Sequence, residues 1–264
     1  MKGFKNMAGK YNYFNILGVK VSAIAIDDAC NFVKGAIADN TKTYVCVCPV
    51  STIMECQKDE RMMAVVNSAG LVTPDGMPVV WLGKIKGYKN ISRVYGPDLI
   101  SELCKISEGK GYKNYFYGCT PDVLDKLKQR LKDVFPGLLI AGMYSPPFRQ
   151  LAKEEDDGVV KDINNVNPDI IWVGLGSPKQ DIWMYEHRDR INAPVMVGVG
   201  AAFDFLAGTK PQAPKWMRDN GLEWLFRLVS EPKRLWKRYL IGNTLFIWYL
   251  LGELTRQRFR PGRK

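Results

Sequence analysis

One carboxylate stands in a setting suited to chemistry. In "LVTPDGMPVVW" (71–81), Asp75 follows a short apolar run and lies between Pro74 and Gly76. A tight turn there would aim its side chain into a cleft. An ordinary aspartate, with a pKa of ~3.9, is ionised at neutral pH and can accept a proton from an attacking hydroxyl. The same position suits a turn-forming residue equally well, so residue type leaves both readings open. Arg93 in "SRVYGPDL" and Gln180 in "GSPKQDIW" occupy loop or helix-start contexts from which they could hold a sugar or a phosphate. The single histidine, His187, lies in the charged stretch "YEHRDR" and reads as a solvated surface residue. With one histidine, a Ser-His-Asp hydrolase or a histidine-rich metal site is hard to build.

These residues need a frame. Apolar runs at 43–48, 70–73, 114–118, 138–143, 169–176 and 194–200 have the length of buried strands, and segments such as 120–134 and 178–191 have helical length. The alternation predicts an α/β fold, a Rossmann-like parallel sheet with helices on both faces. In such sheets ligands bind beyond the carboxyl ends of the strands, where "CVCPVST", "VTPDGMP", "VGLGSPKQ" and "VGVGAAFDF" fall. Gly174, Gly176, Gly198 and Gly200 would let backbone N–H groups approach a phosphate, or else serve as turn and packing glycines. Neither glycine loop completes a dinucleotide fingerprint, and no GxxxxGK[ST] occurs.

The net charge of +11 is unevenly placed: residues 209–264 hold 13 Lys and Arg against 4 Asp and Glu. The expected organisation is a nearly neutral body over 1–208 and a basic C-terminal helical segment over 209–264. Within that tail, Leu235, Trp236, Tyr239, Leu240, Phe246, Ile247, Leu250 and Leu251 recur at helical spacing, with Pro232 early in the helix. The apolar run from Leu240 to Leu251 is short of the ~20 residues of a membrane span. Cations beside Trp, Tyr and Leu instead suggest a segment lying in the bilayer interface, each Lys or Arg adding about 1 kcal/mol on an anionic surface. Trp236, Lys237, Tyr239, Leu240 and Trp248 are the expected membrane-contacting residues. The six cysteines show no CxxC spacing and the N-terminus lacks a signal-peptide core, which fits buried thiols in a reducing cytoplasm.

Taken together and in order, "TPDGMPVVW", "RVYGPDL", "GLGSPKQDIW", "GVGAAFDFLAG", "APKWMRDNGLEWLFRL" and "EPKRLWKR" resemble the WecG/TagA/CpsF glycosyltransferase family. The resemblance runs from about Asn15 to about Tyr239. It implies transfer of a sugar, N-acetylmannosamine, glucose or a related one, from a UDP-sugar to a polyprenyl-diphosphate-linked saccharide. The reaction would run with inversion, peripherally at the cytoplasmic face of the membrane, for cell-surface polysaccharide synthesis. It also implies that 1–208 form a Rossmann-like catalytic domain and that 209–264 form a C-terminal appendage that helps bind the membrane and completes the active site.

By position in the family motifs, Asp75 is the general base, and Arg93 and Gln180 bind substrate. Arg227 and Arg234 lie near the diphosphate, with Lys237 or Arg238 as a third cation. No cofactor or metal is implied: there is no Asp-x-Asp motif, and arginines would take the metal's place. Where teichoic-acid-type members carry Thr-Pro-Asn, this chain reads Cys48-Pro49-Val50, with Ser51 and Thr52 offering hydroxyls in the same loop. Gln212 also replaces a basic residue of some members. These departures lean toward the exopolysaccharide branch.

Three other classes compete, one of them a membrane-binding protein without catalysis, which would have no need of Asp75. A nucleic-acid-binding protein would explain the basic tail, but the periodic Leu, Ile and Trp suit lipid or protein, and no nucleic-acid module is recognisable. A nucleotide-dependent oxidoreductase is disfavoured by the broken glycine fingerprints. An exposed amphipathic tail would also suit a homo-oligomer.

Overall fold

The structure is a computed structural model, and it describes residues 11–258. An antiparallel hairpin, β1 (Tyr13–Ile16) and β2 (Val19–Ser22), comes first, turning through Leu17 and Gly18, both at positive φ. Then follow α1 (Ile26–Ala38), β3 (Thr43–Cys48), α2 (Val50–Lys58), α3 (Glu60–Asn67), β4 (Leu71–Pro74), α4 (Met77–Ile85) and α5 (Gly96–Lys110). The second half runs β5 (Lys113–Gly118), α6 (Pro121–Val134), β6 (Leu139–Tyr144), α7 (Lys153–Val166), β7 (Ile170–Gly174), α8 (Lys179–His187), β8 (Val195–Gly198) and α9 (Ala202–Leu206).

Strands β3 to β8 form one six-stranded sheet in the order β4-β3-β8-β7-β5-β6, every pairing parallel. The expected Rossmann-like architecture is therefore present. Its cause is the period of two along strands buried on both sides. Val45, Val47, Phe116, Ile170, Trp172, Val195 and Val197 face one core. Their neighbours Tyr44, Cys46, Tyr115, Tyr117, Ile171, Val173 and Met196 face the other. The indole N–H of buried Trp172 donates to Asn114 Oδ1 at 2.9 Å, so its burial leaves no orphan donor. Five of the six cysteines are buried and Cys119 is half-buried.

The chain reverses direction across the sheet between β7 and β5: β5 leads outward to β6, and β7 leads inward to β8. This switch point opens a crevice at the carboxyl ends of both strands.

Beyond α9, the tail forms α10 (Lys215–Asp219), α11 (Glu223–Ser230), α12 (Pro232–Trp236), a π-helical turn at Lys237–Ile241 and α13 (Gly242–Arg258). Pro232 stands in the first turn with Glu231 before it, as the sequence predicts. The apolar stripe divides. Leu235 and Phe246 are buried, and Phe246 and Leu250 pack with Ile53, Met54 and Val79 of the body. Burying a side chain of that size contributes ~1.5–3 kcal/mol. Trp236, Leu240, Ile241, Ile247, Trp248 and Leu251 stay exposed, Trp248 at 72%. Among the described residues no helix is long and apolar enough to cross a membrane.

Candidate active site

Asp75 is placed by the end of β4. Its backbone N–H donates to the Cys48 carbonyl at 3.3 Å, extending the β3–β4 pairing by one residue. Gly76 then takes φ +87°, a conformation glycine adopts without strain, and caps α4. The Val94 N–H donates to the Pro74 carbonyl at 2.9 Å, which brings the "SRVYGPDL" loop alongside. Arg93 Nε consequently donates to Asp75 Oδ1 at 3.1 Å.

The other end of Arg93 meets a residue the sequence analysis does not single out. Arg93 Nη2 donates to Glu223 Oε2 at 2.6 Å, and the Tyr95 hydroxyl donates to Glu223 Oε1 at 3.3 Å. Gln212 Nε2 in turn donates to the Tyr95 hydroxyl at 3.2 Å. The Arg93 guanidinium lies 4.1 Å from the centre of the Tyr95 ring. Glu223 opens α11, so a tail helix closes over the Asp75 loop through this ion pair. The available signal was its sign: it is one of four acids among thirteen cations in 209–264.

Around Asp75 is a cavity of about 120 Å³ lined by Ser51, Met77, Arg93, Arg218, Glu223, Trp224, Arg227, Arg238 and Tyr239, among others. Four arginines against two carboxylates leave two positive charges there. Arg238 Nη2 donates to Ser51 Oγ, while the Nε groups of Arg218 and Arg238 are buried without an acceptor. Such donors favour an anion. Burial lowers the Arg238 pKa, and Arg227 and Arg234 act in the same direction; a guanidinium nonetheless stays cationic at neutral pH.

Asp75 and Arg93 are mostly shielded, with side chains 17% and 16% exposed. Burial pushes the Asp75 pKa above the ordinary aspartate range; Arg93 and Arg227 pull it down, and Glu223 adds to the rise. For Arg93, burial lowers the pKa, but Asp75 and Glu223 more than offset it and hold the guanidinium above its usual value. Among the described residues no hydrogen bond reaches Asp75 Oδ2. The arrangement is a braced carboxylate with one oxygen open and cations beside it, which can take a proton from a hydroxyl and stabilise departing negative charge.

The second opening is the switch-point crevice, a cleft of about 1210 Å³ that includes Cys119, Thr120, Gly174, Gly176, Lys179, Gly200, Ala201, Asp204, Lys210 and Arg234 in its walls. Arg234 thus faces a different cleft from Arg227 and Arg238, and it is held in a two-point pair with Glu231 at 2.6 and 2.7 Å. Thr52 Oγ1 donates to Ser177 Oγ at 3.3 Å, tying the loop that carries Ser51 to the first glycine loop.

The glycines divide by role. A side chain at Gly174 would meet the Phe203 ring at 2.5 Å, and one at Gly198 the Met184 methyl at 2.7 Å, so both are close-packing positions. Gly176 and Gly200 have positive φ, and their N–H groups both donate to Gln180 Oε1, at 3.1 and 2.9 Å. Gln180 is buried and joins the two loops, which makes it a brace for them. Tyr239, expected among the membrane-contacting residues, lines the Asp75 cavity instead; Trp236, Leu240 and Trp248 are exposed, and Lys237 Nζ lies 5.6 Å from the Trp236 ring centre.

His187 is a correction. It is buried, stacked on Trp183 at 4.3 Å, with Nε2 2.9 Å from Asp156 Oδ1 and Nδ1 2.8 Å from the Trp183 carbonyl oxygen. Its partners come from one helical turn back and from α7, 31 residues upstream, contacts that outweigh the charged neighbours on which the surface reading rests.

A parallel α/β sheet with a cation-rich, carboxylate-centred cavity at its strand ends has the chemistry for transferring a group away from an anionic leaving group. Residues 14–260 match the model of the Glycosyl transferase WecG/TagA/CpsF family, and the chain belongs to that family. It is a glycosyltransferase. It is similar to three proteins named as N-acetylglucosaminyldiphosphoundecaprenol N-acetyl-beta-D-mannosaminyltransferase. The Bacillus subtilis protein is 31% identical over 204 residues, 77% of each chain. That of Bacillus spizizenii is 34% identical over 186 residues, 70% of each, and that of Staphylococcus aureus 30% identical over 176, 67% of each. The exopolysaccharide leaning drawn from Cys48-Pro49-Val50 finds no support in these names.

Proposed function

We propose that this glycosyltransferase moves N-acetylmannosamine, or a closely related sugar, from a UDP-sugar to a polyprenyl-diphosphate-linked saccharide in cell-surface polysaccharide synthesis. It works with inversion, bound peripherally at the cytoplasmic face of the membrane. The names of its relatives support the substrate class, and the Asp75 cavity supports the chemistry. Asp75 removes the proton from the acceptor hydroxyl as that oxygen attacks the anomeric carbon, and the bond to the UDP oxygen breaks on the opposite face. Arg227 and Arg238 are placed to offset the charge on the departing diphosphate. The glycine loops braced by Gln180, with Lys179, Lys210 and Arg234 beside them, offer the larger cleft to the nucleotide. Residues 1–208 serve as the catalytic body and 209–264 as the appendage that closes the site and meets the lipid.

The observation that carries this reading is the single cavity in which body-borne Asp75 faces Arg218, Arg227 and Arg238 of the tail. Asp75→Asn keeps the shape and removes the base. It is expected to lower turnover by about 10²–10⁴-fold, read as UDP release, while UDP still raises the melting temperature. Unchanged turnover would contradict the assignment.

A further inference from the structure

Glu223 has no counterpart among the residues the reaction itself requires. It sits on the tail with its side chain only 13% exposed, and its two oxygens receive the far end of Arg93 and the Tyr95 hydroxyl. Arg93 therefore spans two carboxylates, Asp75 at 3.1 Å and Glu223 at 2.6 Å. A guanidinium shared in this way is fixed in orientation, because its planar fork is held at both ends. It is also less effective at neutralising either acid than if it faced one alone.

We propose that Glu223 is a positioning residue that sustains the basicity of Asp75: it takes half of Arg93 and holds it as a brace, against the cations that the tail also brings to the cavity. This rests on the reading of Asp75 as the proton acceptor. It assigns to the tail a role in the chemistry besides supplying cations and contacting lipid.

The surroundings of Asp75 are consistent with this. From α11 come Glu223 and Arg227, from the loop before α5 Arg93 and Tyr95, from the end of β3 Cys48, from α10 Arg218, and from the π-helical turn Arg238 and Tyr239. Among the described residues, Glu223 is the only other carboxylate lining the cavity. Removing its charge leaves Asp75 facing cations alone, so the carboxyl ionises at lower pH and becomes a weaker base. Glutamine keeps an acceptor for Arg93 and nearly the same volume, which favours retention of the fold.

The test is a pH titration of the Asp75 carboxyl by carbon-13 NMR in aspartate-labelled full-length protein, the resonance assigned by its loss in Asp75→Asn. Glu223→Gln is expected to move the inflection to lower pH by about one unit, whereas Glu223→Asp, which keeps the charge, stays within a few tenths. An unmoved inflection in Glu223→Gln, or an equal shift in both variants, would overturn the proposal. Kinetics with UDP-N-acetylmannosamine and undecaprenyl-diphosphate-N-acetylglucosamine give an independent reading. Glu223→Gln should lower kcat roughly 3- to 10-fold, as expected for a weaker base, with the donor KM unchanged, and the acid limb of kcat should follow the NMR inflection. Should Glu223→Gln fail to fold, Glu223→Asp decides: because it keeps the charge, its inflection should stay within a few tenths of a unit of the wild type and kcat within about twofold, and an inflection lower by about a unit would overturn the proposal. Turnover retained in Asp75→Asn would instead defeat the underlying reading. Turnover lost in Glu223→Gln but kept in Asp75→Asn would make Glu223 the base and defeat both.

Discussion

Half-buried Asp75 and buried Asp181 are two acids in opposite company. Asp75 faces Arg93 and Arg227, which hold down a pKa that burial raises. Asp181, in α8 next to Gln180, is wholly buried with no ion pair among the described residues. Burial pushes its pKa up to about 6, and the Ser177 hydroxyl and Cys46 thiol oppose the rise only in part. A folded-state pKa above the unfolded value of about 3.9 favours the folded state most below pH 4, and that advantage is lost as pH rises through 6. Asp181→Asn should therefore stabilise the protein at pH 7.5 by roughly 1–3 kcal/mol and have little effect at pH 4, read from chemical denaturation at both. A variant less stable at pH 7.5 would show that the carboxylate has a stabilising partner. At this scale Asp75 and Arg93 were legible in the sequence because each lies in a short motif with its own turn residues. Glu223 was not, because its partner Arg93 is 130 positions away.

At the scale of elements, the strands were legible because runs such as Thr43–Cys48 are apolar on both faces, which few other environments tolerate. Helix starts were legible where a proline stands in the first turn, as at Pro232. The glycine loops were located correctly, but their division of labour was not visible. Which glycine abuts Phe203 and which donates to Gln180 depends on contacts between loops that follow different strands.

The tail stripe shows the same limit. Helical spacing groups Phe246 with Ile247 and Leu250 with Leu251, and only docking on α2 shows which of each pair faces the body. The exposed set gives a direct expectation. Replacing Ile247 and Trp248 with serine should weaken binding to anionic phosphatidylglycerol vesicles by at least tenfold in a flotation assay and leave the melting temperature within a degree or two. Undiminished binding would place the lipid contact elsewhere.

For the whole molecule, the body supplies Asp75 and the crevice at the strand reversal, and the tail supplies Arg218, Glu223, Arg227 and Arg238. The tail thus presents two different surfaces. Some arginines turn inward to the cavity, and the exposed Trp and Leu side chains turn outward. The concentration of cations in 209–264 is readable from composition, whereas the inward turn of Tyr239 required the fold. The measurement that tests the account most directly is UDP release from UDP-N-acetylmannosamine, UDP-N-acetylglucosamine, UDP-glucose and UDP-glucuronate with undecaprenyl-diphosphate-N-acetylglucosamine, in the presence of EDTA. The account predicts acceptor-dependent release from one donor, N-acetylmannosamine foremost, undiminished by the chelator. Release from none of them by folded, vesicle-bound protein, or release restored only by added metal, would contradict it.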